Sequence, residues 1–545
     1  MACEPSTSFS LLHCPFCSYF GNEEMIMAHA QNKELELKFE MDVGELKALQ
    51  MTAAQCDDLH GEPKVRQLRS IYFDTPTFAL RAAGIALRAR LVDGQWVQTV
   101  KAKTVVKGGV SNPIESENPL DNSTPVPALI GDKVLRKQVL RIVEEALLLP
   151  VFETVVERTS YRLMSVRGGD VELAVDVGHV FSDKGLIPIG EAELELKAGG
   201  PEVLLHFASV LFAGRHFKLA SQNKASRGFV LIGAEKPPHL LPVALSLPSI
   251  SESQTIHQAF VQLIDATVDF ILHNWAVTQS CNDPEGPHQL RVGLRLFRSL
   301  LRAFRPSIDN PALREMEKRA RYVTHLVGRL RDLDVLIDDI YAPVALKEGG
   351  KNQLDERRLA DRLTRYRDVV RSQTLEEMQH WPCASFQIEL ALFTRMAPWD
   401  TNNTGSDRAE PIPALAKLAL KKSYRHCQRW GADIDKLDFS ERHSMRKSLK
   451  IVRYQAEIFG PLYGRRKTRR FCKKLRALQD VFGYLNDVAM ASHLSKVVRD
   501  AGPACPTDKK IADKVIARHE KQAQKAWKKA KRRWEKLDDT RPFWS

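Results

Sequence analysis

The 545-residue sequence predicts an α+β protein with an eight-stranded antiparallel β-barrel in its first half and an all-helical, duplicated bundle in its second. Three observations predict this division. Strand-like segments with alternating charged and apolar residues fill residues 33–197. A Pro-rich stretch at residues 234–253 then has the composition of a linker. Beyond it, apolar residues recur with the 3.6-residue period of helices, and one helical unit returns after 155 residues.

The composition is that of a globular protein whose charge is unevenly distributed. Hydrophobic residues make up 43% of the chain and charged residues 27%. No apolar run approaches ~18 residues, so the sequence predicts no transmembrane helix and no membrane partner. The formal net charge is +14, and residues 253–545 hold about 55 Lys/Arg against about 36 Asp/Glu. The charge of the second half therefore predicts a polyanionic binding partner, whereas the first half is slightly acidic.

The nine cysteines and the first 30 residues define neither a secreted protein nor a zinc site. The cysteines lack a disulfide framework, which predicts a reducing cytoplasmic location. Cys14-x-x-Cys17 lacks the second pair that a zinc knuckle needs. Residues 1–30 have no basic n-region, and Glu23 and Glu24 interrupt any apolar core. We predict that this leader is disordered or reflects the choice of start codon.

The first predicted strand, residues 33–40, alternates strictly between charged and apolar residues. In a strand these two sets point to opposite faces: Glu34, Glu36 and Lys38 on one, and Leu35, Leu37 and Phe39 on the other. An ordinary half-exposed strand would show the same pattern. However, Glu-Leu-Glu-Leu-Lys returns unchanged at residues 193–197, two residues after Glu191. This repetition favours a barrel with a charged interior.

The segments between these two copies supply further strands with charges on alternating positions. The charged residues form basic pairs, an acidic pair and a mixed set: Arg88 and Arg90, Lys101 and Lys103, Glu115 and Glu117, and Arg158 with Glu172 and Asp176. Together they make about eight antiparallel strands, as a small closed barrel requires. The alternative is that the basic pairs form a solvated outer face.

Cations and carboxylates on the same strands point to bound phosphate and metal. Arginine offers bidentate contacts to phosphate, and lysine offers a point charge. Carboxylates would repel phosphate unless a hard divalent cation such as Mg²⁺ lay between them. The pattern therefore predicts a site in which carboxylates hold a metal, the metal contacts phosphate, and the metal activates water for attack on phosphorus.

These motifs resemble the CYTH domain, a family also called triphosphate tunnel metalloenzymes. The residues that carry the resemblance are Glu34-x-Glu36-x-Lys38, Tyr72-Phe73-Asp74-Thr75, Leu87-Arg88-x-Arg90, Lys101-x-Lys103 and Glu191-x-Glu193-x-Glu195. The family includes inorganic triphosphatases, thiamine triphosphatases and class IV adenylyl cyclases. The resemblance covers residues 31–233 and implies an eight-stranded tunnel that binds triphosphate with Mg²⁺ or Mn²⁺.

The same resemblance implies a role for individual residues. The catalytic set would be Glu34, Glu36 and Lys38. The metal ligands would be Glu34, Glu36, Asp176, Glu191 and Glu193. The substrate phosphates would be held by Lys38, Arg88, Arg90, Lys101, Lys103, Arg158 and Lys224. The sequence departs from the family at Pro113, where an arginine is usual, and at Asn223, where a serine is usual. Loss of one phosphate contact would loosen the grip on triphosphate or shift the substrate preference.

The helical half contains an internal repeat at an offset of 155 residues, which indicates a bundle with pseudo-twofold symmetry. Each copy carries four basic residues on one helical stripe: His288, Arg291, Arg295 and Arg298, and then His443, Arg446, Lys450 and Arg453. Four stacked cations repel one another unless a polyanion or acidic residues lie across them. The alternative is an internal ion-pair network, with Asp332 and Asp487 as counter-charges.

These stripes, together with Leu330-Arg331-Asp332-Leu333-Asp334 and Leu485-Asn486-Asp487, look like the CHAD domain. The resemblance covers residues 254–500 and implies binding of inorganic polyphosphate, with association with polyphosphate granules as an option. A Lys/Arg-rich tail follows at residues 501–545, with Trp527 and Trp534 seven residues apart. The tail would extend the basic surface, contact nucleic acid, or be a solvated amphipathic helix that closes the bundle. We favour the last reading.

The leading hypothesis is therefore metal-dependent hydrolysis of inorganic triphosphate, or of a related triphosphate compound, with polyphosphate binding by the helical domain. Two alternatives remain open. The chain would be a non-catalytic polyphosphate-binding scaffold, or it would be an adenylyl cyclase of the class IV type. Phosphate release from a panel of triphosphates separates the first of these from the hydrolase, and formation of cyclic AMP identifies the second.

Overall fold

The computed structural model describes residues 35–102, 106–111, 113–144, 146–165, 168–237, 240–345, 353–400 and 409–545. These residues form two compact units. The first contains the described residues up to residue 237 together with Gln379–Met396, and the second contains Leu240–Met378 and Ala397–Ser545. No helix within these ranges has the length and apolar composition needed to cross a membrane.

The first unit is built on one antiparallel sheet with ten strands in its described residues. The strands are β1 Leu35–Glu40, β2 Lys64–Asp74, β3 Ile85–Val92, β4 Gln95–Ala102, β5 Val110–Ser111, β6 Ile114–Leu120, β7 Leu149–Ser165, β8 Gly169–Ser182, β9 Gly185–Ala198 and β10 Lys218–Leu219. Their order is β10-β1-β9-β8-β7-β2-β3-β4-β6, and β5 pairs with β1. Eight strands are long, as the sequence predicts, and β5 and β10 add two residues each.

The sheet curls back on itself at β5 and β6. Ser111 of β5 lies opposite Glu36 of β1, whereas β6 pairs with β4 at the other end of the strand order. Because residues 112 and 113 alone separate β5 from β6, the two edges of the sheet must come close together. This geometry confirms the predicted barrel-like class of the first unit.

The outer face of the sheet around β1 is apolar and is covered by helices. Leu37 and Phe39 are fully buried, and Phe39 stacks on Phe212 with 4.0 Å between ring centroids. The helices that precede the linker are α1 Val43–Ala54, α2 Ala79–Ala82, α3 Lys133–Val143, α4 Pro201–Phe212 and α5 Lys224–Leu231. The alternation of the first strand thus separates a packed apolar face from a charged inner one.

The second unit contains ten α-helices in its described residues. They are α6 Ile256–Ser280, α7 Glu285–Ile308, α8 Pro311–Asp334, α9 Ala342–Ala345, α10 Gln353–Gln379, α12 Ile412–Ala432, α13 Phe439–Phe459, α14 Arg465–Ala491, α15 Leu494–Asp500 and α16 Pro506–Asp538. A π-helical segment, Val335–Tyr341, joins α8 to α9. This wider π-helical turn interrupts the α-helical stretch between residues 311 and 345.

Helix α11, Trp381–Met396, belongs to the first unit, where it packs on α4. These residues fall within the range 254–500 that the sequence motifs assign to the helical domain. Most side chains of α11 are buried, including Phe386, Leu390 and Phe393. A helix that is apolar on nearly every side needs partners around it, but its sequence does not say which unit supplies them.

The repeat extends over five helices rather than the two that the motifs cover. A shift of 155 residues places α6–α10 on α12–α16, with most ends agreeing within a few residues. α8 Pro311–Asp334, for example, would become residues 466–489, and α14 spans Arg465–Ala491. The predicted basic tail is largely α16, whose Trp527 and Trp534 are buried. It therefore closes the bundle, as the favoured reading of the sequence proposed.

Equivalent residues of the two copies meet in the core. Phe304 and Phe459 lie 155 residues apart, are fully buried, and have ring centroids 5.8 Å apart. The starts of α6 and α12 also pair through their backbones. The Ile256 N–H donates to the backbone carbonyl of Glu410, and the Ile412 N–H donates to that of Gln254. Equivalent residues touch each other only near the axis that relates two copies. The duplicated bundle therefore has an approximate twofold axis through this core.

Candidate functional site

Strand pairing places predicted carboxylates and two of the predicted cations on one face of the sheet. Lys38 lies opposite Glu193, Glu191 lies opposite Asp176, and Asp176 lies opposite Arg158. Directly opposed residues of antiparallel strands point to the same side. The charged parity of β1 therefore continues across β9, β8 and β7. Because the opposite face of β1 is packed with apolar residues, this parity forms the inner face.

The same inner face continues around the sheet to the basic strands. The opposed pairs along this path are Arg66 with Arg158, Ser70 with Arg90, Tyr72 with Arg88, and Lys101 with Glu115. The structure thus places Arg88, Arg90 and Lys101 on the interior rather than on a solvated outer face. Lys103 lies outside the described residues. One curled face therefore presents carboxylates on β8 and β9 and cations on β3 and β4.

Asp176, Glu191 and Glu193 form a compact carboxylate cluster. Each offers one oxygen, and these oxygens all lie within 4.8 Å of one another. The three residues are 0%, 1% and 9% exposed. Several carboxylate oxygens converging in a shielded place are the ligand set that Mg²⁺ and Mn²⁺ accept. These three residues therefore fit a divalent cation, in agreement with three of the five metal ligands that the family resemblance implies.

Lys224 contacts every member of the carboxylate cluster. Its Nζ lies 2.8 Å from Asp176, 2.5 Å from Glu191 and 3.1 Å from Glu193. Although burial alone would lower it, these three carboxylates raise the pKa of Lys224 above the ordinary value. The resemblance gave Lys224 a role at phosphate, whereas the structure places its ammonium group among the carboxylates.

Burial and charge act against each other on the cluster. Burial alone would raise the pKa of Glu193, but Lys224, Lys38 and Arg158 hold it well below the usual range. The pKa of Asp176 is likewise lowered, since Lys224 and Arg158 outweigh the effect of burial. Both groups are therefore carboxylates at neutral pH, which is the form that binds a metal.

Glu36 is joined to the carboxylate cluster through Lys38. The Nζ of Lys38 lies 2.9 Å from Glu36 and 2.6 Å from Glu193. Burial alone would lower the pKa of Lys38, but Glu193 and Glu36 raise it. Glu36 is 6% exposed and stands beside the three-residue cluster rather than within it. Glu34 lies outside the described residues.

Arg158 grips the cluster through paired hydrogen bonds. Its Nε and Nη2 donate to the two oxygens of Asp176 at 2.7 and 2.6 Å, and Nη2 also donates to Glu193 at 2.9 Å. A bidentate contact of this kind fixes the orientation of a carboxylate. Arg158 therefore orients the carboxylates of the metal-binding cluster in this structure. The family resemblance, in contrast, implies that it contacts substrate phosphate.

Arg88, Arg90 and Lys101, here called the cation group, are less completely neutralised. Arg90 donates from Nε to the Ser70 hydroxyl at 3.0 Å, and burial together with Arg88 and Arg158 lowers its pKa to about 9. The Nε of Arg88 is buried without a hydrogen-bond partner among the described residues. Lys101 lies 2.5 Å from Glu115. Guanidinium groups that repel one another in a shielded place favour an anion between them.

Helix α5 carries Lys224 to the cluster, and two local features position it. The Asn223 side chain accepts the Ser226 N–H at 2.8 Å and so caps the start of the helix. Asparagine therefore replaces the usual serine without loss of the cap. Gly228 faces the ring of Phe152, and a Cβ there would lie 2.1 Å from a ring carbon. The absence of a side chain lets α5 approach the sheet.

Four residues of this face were absent from the predicted set. Arg227 contacts Glu191 at 2.9 Å and Glu40 at 3.1 Å. Its position three residues after Lys224 on a helix would have placed it on the same side. The cation group is lined by Glu115, Ser70 and Tyr72. The alternation of side chains along their strands would have identified them as residues of the inner face. Asp74 of the family motif is structural, because it accepts the N–H groups of Thr75, Leu80 and Arg81.

The second unit brings the two basic stripes onto helices α7 and α13, which pack against each other. All eight stripe residues are partly buried: His288, Arg291, Arg295, Arg298, His443, Arg446, Lys450 and Arg453. Arg291 donates to Asp332 at 2.8 Å and to the Gly328 carbonyl at 3.2 Å. Among the described residues, the Nε atoms of four stripe arginines are buried without a hydrogen-bond partner: Arg291, Arg298, Arg446 and Arg453.

Charge repulsion within the stripes is strong. Burial, followed by Arg295 and Arg446, lowers the pKa of Lys450 to about 6. Burial and Arg291 lower the pKa of Arg295 to about 10. Burial also lowers the pKa of both stripe histidines, His288 and His443, with help from neighbouring cations. Asp332 neutralises Arg291, but the other cations outnumber such counter-charges. An ion-pair network thus accounts for only part of the arrangement.

Family models match a large part of each unit. A family model described as the CYTH domain matches residues 32–229, and one described as the CHAD domain matches residues 262–496. Among solved structures, the CHAD domain from the plant Ricinus communis is 18% identical, with a TM-score of 0.47, over 54% of this chain and 96% of that chain. A Hippeastrum protein with a reported dominant triphosphatase activity is 21% identical, with a TM-score of 0.28, over 38% and 98%.

Proposed function

From a chain that carries a CYTH domain followed by a CHAD domain, we propose that the first unit hydrolyses inorganic triphosphate, or a related triphosphate compound, with Mg²⁺ or Mn²⁺. One observation carries this proposal. The carboxylate cluster of Asp176, Glu191 and Glu193 shares the inner face of one curled sheet with the cation group. A triphosphate carries enough negative charge to bind a metal and guanidinium groups at the same time. Its binding would explain why carboxylates and cations share this face.

The residues that would hold the metal are Asp176, Glu191 and Glu193, with Glu34 as a further candidate. Glu36, which the family resemblance also implies as a ligand, stands beside this cluster and is given another role below. When bound, a divalent cation neutralises phosphate oxygens and makes water a better nucleophile. Arg158 keeps two of the carboxylates oriented, and Lys38 links Glu36 to Glu193. The protein thus supplies a rigid and shielded ligand set.

The cation group would hold the substrate. Arg88, Arg90 and Lys101 neutralise the phosphates along the chain of the triphosphate and align it on the inner face. The oxygen of a water molecule forms a bond to the terminal phosphorus while the bridging P–O bond breaks. The products are orthophosphate and diphosphate. Glu36, which is close to the cluster but not part of it, accepts the proton of the attacking water.

The test is a substrate panel. Purified protein is incubated with inorganic triphosphate, ATP or thiamine triphosphate, with Mg²⁺, Mn²⁺ or EDTA, and phosphate release is measured. We expect metal-dependent turnover that is highest with inorganic triphosphate. Absence of turnover with every substrate would leave the polyphosphate-binding scaffold as the better description. Cyclic AMP formed from ATP would instead identify a cyclase.

We further propose that the basic stripes of the second unit bind inorganic polyphosphate. The supporting observation is that two facing stripes of partly buried cations carry four arginine Nε atoms without hydrogen-bond partners among the described residues. A chain of phosphates laid between the stripes would relieve their mutual repulsion. Long-chain polyphosphate should bind the full-length protein with an affinity that falls as salt is added. The double variant Arg295→Gln with Arg446→Gln should weaken binding at least tenfold.

A further inference from the structure

The two copies of the helical unit differ sharply in charge. Residues 411–535 contain 32 Lys/Arg against 12 Asp/Glu, whereas the equivalent residues 256–380 contain 19 against 18. The basic stripes do not explain this difference, because each copy contributes four of the stripe residues. The excess positive charge of the second copy therefore lies elsewhere on that copy.

Part of the excess is on α14, where acids of the first copy are replaced. In the first copy, Arg314 on α8 pairs with Asp309 at 2.5 Å, and Lys318 pairs with Glu315 at 3.0 Å. The 155-residue shift places Arg469 and Lys473 on α14 at the positions of the two cations. The two acids become Gly464 and Arg470. The second copy has thus kept the cations and lost their partners.

The start of α14 is consequently an exposed set of unbalanced cations, here called the α14 basic segment: Arg465, Arg466, Lys467, Arg469, Arg470 and Lys473. No ion pair neutralises these six side chains within the part of the chain that the structure describes. The first turn of α14 holds no acidic residue. Cations near the positive end of a helix dipole destabilise the helix. The arrangement therefore weakens the isolated fold and favours a bound polyanion.

Helix α16 adds to the same positive potential. It packs antiparallel to α14, where Lys474 Nζ donates to the Lys536 carbonyl at 2.8 Å. Its own cations Lys528, Lys529 and Arg532 are exposed. The equivalent of Arg532 in the first copy is Glu377, so charge is again reversed between the copies. Two adjacent helices therefore present cations to solvent.

The geometry points to a partner that is recognised through its phosphates and not through unpaired bases. The aromatic residues Phe471, Phe482, Trp527 and Trp534 of these two helices are buried. The remaining one, Tyr484, is half-buried and donates its hydroxyl to Gln522 at 2.8 Å, so the two helices offer little stacking surface for single-stranded bases. A single flexible chain of phosphates is better accommodated between the partly buried stripes. Exposed cations spread over neighbouring helices match the rigid phosphate rows of a duplex.

We propose that the α14 basic segment binds the phosphate backbone of double-stranded nucleic acid without sequence preference. Such binding releases counterions, so the logarithm of the binding constant should fall linearly with the logarithm of salt concentration. The proposal is independent of triphosphate hydrolysis on the curled sheet and of polyphosphate binding by the stripes. It concerns an outer surface that neither activity uses.

The test measures binding of a fluorescently labelled random-sequence DNA duplex to the full-length protein by anisotropy, between 50 and 200 mM salt. The segment variant combines Arg466→Gln, Arg469→Gln, Arg470→Gln and Lys473→Gln. A charge-matched control removes four cations from the first copy: Arg314→Gln, Lys318→Gln, Arg357→Gln and Arg365→Gln. We expect the segment variant to weaken binding at least tenfold and to reduce the salt slope by about 3 to 4. The control should change binding less than twofold.

Several results would overturn the proposal. They are an absence of duplex binding at 50 mM salt, equal losses in the segment variant and the control, and tighter binding of a single strand than of the duplex. Loss of polyphosphate binding with retained duplex binding in the segment variant would assign this surface to polyphosphate instead. Unchanged helical circular dichroism and unchanged phosphate release show that the variant is folded. Failure of triphosphate turnover in all proteins would affect only the proposed hydrolase.

Discussion

The ammonium group of Lys224 lies 2.5 Å from the carboxylate of Glu191 and within 3.1 Å of Asp176 and Glu193 as well. These are the three carboxylates that would bind a divalent cation. Lys224 and the metal therefore compete for one set of ligands in the substrate-free protein. Arrival of the metal would release the ammonium group toward the phosphates, which reconciles its observed position with the phosphate-binding role that the family resemblance implies.

This competition predicts opposite effects of Lys224→Met on metal and substrate. Removing the ammonium charge should tighten Mn²⁺ binding to the substrate-free protein about tenfold, equivalent to ~1.4 kcal/mol. The same change should lower triphosphate turnover. Mn²⁺ affinity is measured by electron paramagnetic resonance titration without substrate. Lys184→Met, at an exposed lysine in the turn between β8 and β9, is the control and should change neither property. Weaker Mn²⁺ binding in Lys224→Met would contradict the competition.

Glu36→Gln tests the proposed proton acceptor. The amide keeps the shape of the side chain and a contact for Lys38 but cannot accept a proton, so kcat should fall about 100-fold or more. The matched control is Glu153→Gln. Glu153 lies on the outer face of the sheet, where it pairs with Arg69 at 2.7 Å. Steady-state phosphate release compares the two variants. Equal activity of Glu36→Gln and the unmodified protein would remove Glu36 from the reaction.

The sequence predicted the residues of the inner face better than their partners. Glu36, Lys38 and Glu193 followed from alternation, because the backbone of a strand fixes which side chains share a side. The contacts of Arg158 and Lys224 with carboxylates depend on strand register and on the placement of α5, which alternation does not specify. In addition, a family motif that identifies a cation as a phosphate ligand describes only the phosphate-bound protein. Without phosphate, the nearest carboxylates neutralise it.

Helix α11 shows the same limit at the level of the fold. Its apolar composition predicts a buried helix, and the structure confirms burial. Apolar side chains such as Phe386 and Leu390 carry no information about which surface covers them, because hydrophobic contact is non-directional. The internal repeat was more informative, since equivalent residues at one offset must adopt equivalent structures. It led correctly to the duplicated bundle, although the motifs revealed two of its five repeated helices.

The core of the duplicated bundle is tested by a double-mutant cycle at Phe304 and Phe459. Each ring is fully buried, so either change to alanine should lower the free energy of unfolding by about 3 to 5 kcal/mol. The ring centroids lie 5.8 Å apart, so the two rings are in contact. The two decreases in the free energy of unfolding should therefore be non-additive, with a coupling free energy of about 0.5 to 1.5 kcal/mol. Urea denaturation of the four proteins measures this coupling. Strict additivity would show that the rings do not interact.

The cap of α5 is tested by Asn223→Ala and Asn223→Ser. Alanine removes the acceptor for the Ser226 N–H, which should lower the free energy of unfolding by about 1 kcal/mol and raise KM for triphosphate as Lys224 loses its anchor. Serine keeps an acceptor and should restore both properties. Thermal denaturation and substrate titration provide the readouts. If both variants shift KM equally, the asparagine acts through something other than the cap.

The basic stripes should make polyphosphate binding depend on pH through Lys450. Burial, Arg295 and Arg446 lower the pKa of this group to about 6, whereas an unfolded lysine keeps its ordinary value of 10.5. Between those two values the unfolded state binds the additional proton, so this group makes the free energy of unfolding rise with pH across that window. The other cations facing Lys450 include Arg291 on α7 and Arg453 on α13, and they favour its neutral form.

A polyphosphate chain reverses that balance, because its negative charge raises the pKa of Lys450 again. Binding at pH 7 should therefore take up as much as about one proton at this group, and affinity should rise as the pH falls from 8 to 6. Calorimetry in two buffers with different ionisation enthalpies measures the uptake. Lys450→Met should reduce it and flatten the pH dependence, which separates Lys450 from His288 and His443. Full proton uptake in that variant would place the titrating group elsewhere.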